Sequence, residues 1–289
     1  MLNDKLKNSL VEYDDWRLLG RGTFSAVYRV REQRTGRLLA CKVVASRELA
    51  EREKEFLQKA SHPLFPQFER FEHLQDCWCI FMEYIPGITL KELVGHRGSV
   101  TGRQAVRLGC SLAEGLLFLH EQAIPIIYRD LKPENVMIQQ DGRVRLIDLG
   151  CACFVEEKRR TQAGTRGYAA PEQLEGDGMA GVESDVYALG KLLQFVVGAD
   201  SESGPPGSGK LQKIPNTFLD LLADMTRPES KQRVPDMRIF LQQMEQFSDG
   251  KKTQGIRRVC AVFRKWGKRR TRKKGYVKFY YQKNINRGI

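Results

Sequence analysis

The sequence predicts an α+β protein with a small β-rich front and a larger helical rear, and three observations carry that prediction. Up to about Tyr84, apolar and polar residues alternate in short runs, the period of strands with one buried face. Beyond Pro86-Gly87 the apolar residues recur at helical spacing instead. The charge is divided just as sharply: of 48 Lys and Arg, 15 lie in 251–289, where there is no Asp or Glu, so residues 1–250 keep 33 basic against 35 acidic residues. At 41% hydrophobic and 29% charged, the 289 residues can bury a sizeable core, and a disordered, collagen-like or disulfide-stapled chain is excluded.

WRLLG (16–20), SAVYRVRE (25–32) and TGRLLACKVV (35–44) read as three antiparallel strands, with Thr35-Gly36 as a hairpin turn. SRELAEREKEFLQKA (46–60) is rich in helix formers and stops at Ser61-His62-Pro63; Leu49, Glu53, Phe56 and Leu57 fall near one face. FPQFERFEHLQDCWCIFMEYI (65–85) resumes the alternation as two more strands with a turn near Gln75-Asp76. Helical spacing then returns in 103–122, 182–198, 214–227 and 235–247, while SESGPPGSGK (201–210) has the composition of a surface loop or short linker. These readings divide the chain into an N-terminal extension (1–12), a body of 13–248 that changes character between 13–85 and 86–248, and a basic tail (249–289).

Seven cysteines are an odd, scattered set, and the opening MLNDKLKNSLVEYDD lacks the apolar core of a signal peptide, so a cytoplasmic location is expected. Cys77/Cys79 and Cys151/Cys153 are spaced C-x-C rather than as zinc-finger pairs, and ordinary burial is expected for them. His62, His73, His96 and His120 show no metal-ligand spacing. No apolar run approaches the ~18 residues of a membrane-spanning helix.

The chemistry-bearing residues lie in separated stretches. Gly20-Arg21-Gly22-Thr23-Phe24-Ser25-Ala26-Val27 sits between two predicted strands, where glycines could let backbone N–H groups approach phosphate oxygens; alone this is equally a hairpin turn. Lys42 follows in an apolar strand and needs an anionic partner, which Glu53 on the next helix can supply. The strongest signal is Tyr128-Arg129-Asp130-Leu131-Lys132-Pro133-Glu134-Asn135, followed by Leu146-Ile147-Asp148-Leu149-Gly150. A carboxylate to take or orient a hydroxyl proton, a lysine to neutralise a transferring phosphoryl group, and Asn plus a second Asp to hold Mg²⁺ are the minimal set for phosphoryl transfer.

At these residues the sequence resembles the eukaryotic-like serine/threonine protein kinase superfamily, in its bacterial-type form, over roughly 13–248. The resemblance extends to Ala169-Ala170-Pro171-Glu172 at the end of the activation segment, to Arg233 as the partner of Glu172, to Asp185 as the anchor of the catalytic loop, and to Phe81–Ile85 as the hinge. It implies a bilobal kinase fold. It also implies ATP bound by Leu19, with Gly20 and Gly22 over the phosphates, Val27, Ala40 and Met137 around the adenine, Met82 as gatekeeper, and the backbones of Glu83 and Ile85 at the adenine edge. Lys42, held by Glu53, would bind the phosphates; Asn135 and Asp148 would hold Mg²⁺, or Mn²⁺ in its place; Asp130 would take the hydroxyl proton and Lys132 stabilise the γ-phosphoryl group.

Tyr128 for the family's His, Leu149 for the Phe of D-F-G, and Ser25 for the third glycine depart from the pattern without removing a catalytic group. Lys132 and Thr165 resemble Ser/Thr rather than Tyr kinases, and protein substrates, the chain itself among them, are the implied acceptors. Thr161 matches the usual activation-loop phosphoacceptor, with Arg129 as receiver of the phosphate. The alternatives are a catalytically silent scaffold of kinase-like fold and a small-molecule phosphotransferase. In the tail, Ile256, Val259, Cys260, Phe263 and Trp266 line one helical face among Arg and Lys, which suits an anionic membrane surface, nucleic acid or an acidic protein; the membrane reading would place the enzyme at the inner membrane surface.

Overall fold

In the computed structural model, residues 10–74, 77–157, 163–175, 180–199, 214–245 and 247 are described. Strands β1 (Tyr13–Arg21), β2 (Ser25–Glu32) and β3 (Leu38–Val44) are followed by helix α1 (Arg47–Lys59) and strands β4 (Phe68–Leu74) and β5 (Cys77–Glu83). The five strands form one antiparallel sheet in the order β1-β2-β3-β5-β4. The turn expected near Gln75-Asp76 lies outside the described residues.

The almost continuously apolar run LLACKVV of β3 is explained by burial on both faces. Ala40 and Val44 join the large core with Phe56 and Leu57 of α1. Leu39 and Cys41 point the other way, into a second cluster with Tyr13, Tyr28, Val30, Cys79 and Phe81, where the Tyr13 and Phe81 rings stack at 4.7 Å. The six described cysteines are free thiols, and among the described residues no three or more His, Cys, Asp or Glu side chains gather as a metal-binding cluster.

Helix α1 starts at Ser46, whose side chain accepts the N–H of Leu49, and it buries Ala50, Glu53, Phe56 and Leu57. Leu49 does not join that face as the spacing predicts. It lies in the first turn and remains exposed, and Ala50 takes the buried position.

The rear half contains β6 (Ile88–Thr89), α2 (Leu90–Arg97), α3 (Gly102–His120), β7 (Ile126–Ile127), β8 (Val136–Ile138), β9 (Val144–Leu146), β10 (Cys153–Phe154), α4 (Pro171–Leu174), α5 (Val182–Val197), α6 (Asn216–Met225), a single 3₁₀ turn (Ser230–Gln232) and α7 (Met237–Glu245). Thr89 with Glu92, and Thr101 with Gln104, form capping boxes that start α2 and α3. Helix α5 is buried from Ser184 and Asp185 through Val197 except along the half-buried stripe Glu183, Tyr187, Lys191 and Gln194, and it packs against α3 and α6, while α7 packs on α3.

The two halves meet where α3 crosses the loop after α1. A Cβ at Gly115 would lie 2.1 Å from Leu64 Cδ2, so only glycine permits this approach. The Leu64 carbonyl accepts the N–H of Leu146 at 2.7 Å, tying β9 to the same loop. The result is a five-stranded β lobe with one helix on a mainly helical lobe, the bilobal α+β arrangement. No helix of the described residues is long and apolar enough to cross a membrane.

Candidate active site

β2 and β3 place Val27 opposite Lys42, and β3 and β5 place Ala40 opposite Met82. Directly paired residues share a face, so Val27, Ala40, Lys42 and Met82 line the same side of the sheet. The Lys42 ammonium lies 2.7 Å from Glu53 on α1 and 2.8 Å from Asp148 Oδ1. Burial alone would drive this ammonium towards the neutral amine, but Glu53 and Asp148 outweigh it and raise its pKa above the ordinary lysine value. Burial pushes the Glu53 carboxyl up, with Lys42 opposing. Burial acts on Asp148 in the same sense, but Lys42 and the Gly150 N–H outweigh it and hold the carboxyl below its ordinary value.

Asp148 has a left-handed backbone, φ +71°, which turns its Oδ1 to accept both Lys42 and the Gly150 N–H at 3.0 Å. A Cβ on Gly150 would stand 3.0 Å from Asp148 Oδ1, 3.2 Å from Lys42 Nζ and 3.4 Å from Glu53 Oε2. Gly150→Ala is therefore expected to displace this cluster while the protein stays folded; a crystal structure of the variant with the Lys42–Asp148 contact lengthened, beside an unfolding midpoint close to wild type, checks it.

The second half of the site hangs from Asp185. Its fully buried carboxylate accepts the N–H groups of Tyr128 and Arg129, each at 2.9 Å, and lies 2.8 Å from His120 Nε2. These bonds hold Arg129 in its left-handed conformation, φ +68°, and so set the loop that presents Asp130. Asp130 Oδ1 accepts the Thr165 hydroxyl at 2.8 Å, and Oδ2 lies 2.8 Å from Lys132 and 3.0 Å from Asn135 Nδ2. Lys132 also donates to the Thr165 hydroxyl at 2.8 Å. Thr165, which the sequence suggests as a specificity or regulatory position, thus touches both charged members of the pair.

Asn135 spends its NH₂ on Asp130, leaving the amide oxygen for a cation, and Asp148 keeps Oδ2. A carboxylate and an amide oxygen are the hard donors that Mg²⁺ or Mn²⁺ takes. At Gly20 an added Cβ would meet nothing within 4 Å and at Gly22 only Ser25, its Oγ at 3.5 Å, so the side-chain space at this turn is open. Gly22 N–H donates to the Ser25 carbonyl at 2.8 Å, and Leu19 sits at the irregularity in the β1–β2 pairing.

Met137 on β8 pairs with Thr89 on β6, and Ile85 is buried just beyond β5. At Glu83 the N–H is already bonded to the Gln67 carbonyl at 2.9 Å, so an adenine edge would meet its carbonyl. The Glu83 side chain is bound by Arg145, whose other guanidinium contact is the Phe65 carbonyl. Nothing in the motifs points to Arg145; it is an unremarkable residue of a short strand.

Tyr128 and Leu149 fill buried positions, and the Tyr128 hydroxyl donates to the Ile147 carbonyl at 2.6 Å. Arg129 donates its Nε to the Cys151 carbonyl at 2.6 Å, and its own carbonyl accepts Gln173 Nε2. Thr161 lies outside the described residues, as does the tail 251–289. Glu172 and Arg233 form the expected pair, with contacts of 2.6 and 2.7 Å.

A family model described as Protein kinase domain matches residues 13–251. The chain is 36% identical over 204 residues to rhodopsin kinase GRK7 of Sus scrofa, covering 64% of this chain and 36% of the relative. It is 31% identical over 193 residues to the cAMP-dependent protein kinase catalytic subunit PRKX of Homo sapiens, covering 64% and 53%. To CBL-interacting protein kinase 16 of Oryza sativa subsp. japonica it is 32% identical over 210 residues, covering 67% and 45%. The chain thus spans about a third to a half of the length of these curated relatives. All three are eukaryotic proteins, and they lend no support to the bacterial-type form expected from the sequence.

Proposed function

Because the chain belongs to the protein kinase domain family, we propose that it transfers the γ-phosphoryl group of ATP to serine or threonine hydroxyls of proteins. The observation that carries this reading is the Lys42 ammonium bonded to both Glu53 and Asp148, three groups from distant stretches of chain gathered at one point. Lys42 would hold the α/β-phosphates, and its raised pKa keeps it cationic at neutral pH. Asn135 and Asp148 would hold Mg²⁺, which when bound supplies positive charge between the phosphates. Asp130 accepts the proton of the attacking hydroxyl, and Lys132, on the same carboxylate, meets the charge on the phosphoryl oxygens.

A hydroxyl already occupies such a position: Thr165 Oγ1 bonds Asp130 and Lys132 together. That geometry favours an aliphatic alcohol as acceptor, and the relatives include a putative serine/threonine-protein kinase, PRKY, of Homo sapiens. The retained Glu172–Arg233 pair supports a peptide acceptor over a small alcohol.

Incubation with magnesium and γ-labelled ATP tests the reading. Label on Ser or Thr of a generic protein substrate, and on the chain itself, is expected. Label only on a panel of small alcohols would replace it with a small-molecule phosphotransferase, and label on neither with a silent scaffold.

The 15 Lys and Arg of 251–289 support an anionic membrane surface as the partner of the tail, since apolar residues at helical spacing accompany them. The full chain is expected to pellet with phosphatidylserine vesicles and a chain ending at residue 250 to remain in solution. Equal pelleting of the two would end that reading.

A further inference from the structure

The sheet face that carries Val27, Ala40, Lys42 and Met82 continues beyond the residues placed at the nucleotide, toward the β2–β3 turn. Arg29 stands opposite Ala40 and Arg17 opposite Arg29, while Arg31, two residues along β2, stands opposite Leu38. Directly paired and alternate residues share a face, so three guanidiniums extend this surface past Ala40. With Asp15, Gly36 and Leu38 they line an open depression of about 470 Å³.

Between Asp14 and Arg17, β1 carries one residue more than β2 does between Arg31 and Arg29, a bulge of the kind that re-aims side chains. Asp15 sits in it with φ +49°, a left-handed conformation that aspartate tolerates better than most residues. Its Oδ1 accepts Arg17 Nε at 2.8 Å, and its Oδ2 accepts Nη2 of Arg29 and, at 3.0 Å, Nη2 of Arg31. Hydrogen bonds from Arg31 and Arg17 lower the Asp15 carboxyl to about 2, so it is an anion at neutral pH. Asp14 lies 3.6 Å from Arg31 Nε. Three guanidiniums thus face two carboxylates, and each spends only one of its five N–H donors on Asp15. The Arg29 Nε is buried and has no hydrogen-bond partner among the described residues.

We propose that this depression is an anion site for a phosphoryl group, carried either by a phosphorylated polypeptide or by free phosphate. Asp15 gathers the three side chains before any ligand arrives, which removes much of the cost of ordering them on binding. Guanidinium forks match phosphate oxygens two at a time, and the charge stays in place because arginine does not deprotonate. A phosphate monoester brings about two negative charges and three acceptor oxygens to the donors left over. A lone carboxylate brings one charge and two oxygens, which Asp15 already supplies. The site uses none of Lys42, Asp130 or Asp148 and does not rest on the phosphotransfer reading.

Isothermal titration of the full chain with inorganic phosphate, with a neutral peptide carrying one phosphoserine, and with the same peptide unphosphorylated tests the site. Arg17→Ala with Arg31→Ala removes two guanidiniums whose side chains are 65% and 47% exposed, so the unfolding midpoint should stay near wild type. That pair is expected to weaken binding of phosphate or phosphopeptide by about tenfold or more, whereas Lys42→Ala should change it by less than about threefold. Arg17→Lys with Arg31→Lys keeps the charge, loses the forks and should recover only part of the affinity; it also decides the case if the alanine pair proves unstable. Tighter binding of the phosphopeptide than of inorganic phosphate assigns the site to a phosphorylated polypeptide, and the reverse order to free phosphate. Binding lost in Lys42→Ala but kept in the arginine variants, full recovery with lysine, equal binding of the unphosphorylated peptide, or no binding at all overturns the proposal.

Discussion

Asp130→Asn is expected to lower kcat by about 10²–10⁴-fold while leaving nucleotide affinity within about threefold. The carboxylate uses both oxygens: Oδ1 for the Thr165 hydroxyl, Oδ2 for Lys132 and Asn135. Asparagine keeps the shape, loses the proton acceptor, and turns an NH₂ group towards one of these donors. The groups placed at the phosphates, Lys42, Glu53 and Asp148, bond one another and not Asp130. Steady-state kinetics with an independent nucleotide titration therefore separates the two effects. A kcat within tenfold of wild type would remove Asp130 as the base.

The largest loss of stability is expected at Arg233. Its side chain is fully buried and all five N–H donors are used: Nε on the Arg227 carbonyl, Nη1 on Glu172 and the Glu183 carbonyl, Nη2 on Glu172 and the Pro228 carbonyl. Removing it takes the charged partner from the Glu172 carboxylate, which keeps the Ser184 hydroxyl, and a donor from each of three carbonyls. Arg233→Ala should cost about 3–5 kcal/mol in urea unfolding, the range for breaking one side of a buried pair. Arg233→Lys should recover only part of this, because an ammonium has three donors and no planar fork.

The loss should also depend on pH. Burial would raise the Glu172 carboxyl, but Arg233, the backbone and Ser184 outweigh it and lower its pKa. A lowered pKa means that the pair stabilises the fold above the ordinary carboxylate value and that this contribution is lost as pH falls through the lowered one. The gap between wild type and Arg233→Ala should therefore narrow in acid. A constant gap from neutral pH down through the carboxylate range would assign the loss to packing.

The sequence located the sheet and long helices well because period and burial agree there. Strands β1 to β5 and helices α1, α3, α5, α6 and α7 each carry their own apolar spacing. The short strands β6 to β10 and helix α2 carry too few residues for a period to register. They exist because neighbours complete them, as β8 does between β6 and β9. Leu49 shows the opposite failure: it has the right spacing for the buried face, but its place in the first turn leaves it exposed.

The charged residues of the site were legible because phosphoryl transfer admits few side-chain types, and Lys42, Asp130, Asn135 and Asp148 stand in recognisable surroundings. The same motifs could not show that Thr165 closes on Asp130, that Gly150 leaves room for the Lys42–Glu53–Asp148 cluster, or that Arg145 binds the Glu83 carboxylate. Chain order and residue chemistry by themselves marked a two-part α+β protein of the protein kinase domain family and named the residues on which the proposed phosphoryl transfer rests. Which oxygen meets which nitrogen was decided only by the fold. Those contacts join residues up to 106 positions apart, and a hydrogen bond depends on tenths of an ångström that no local pattern encodes.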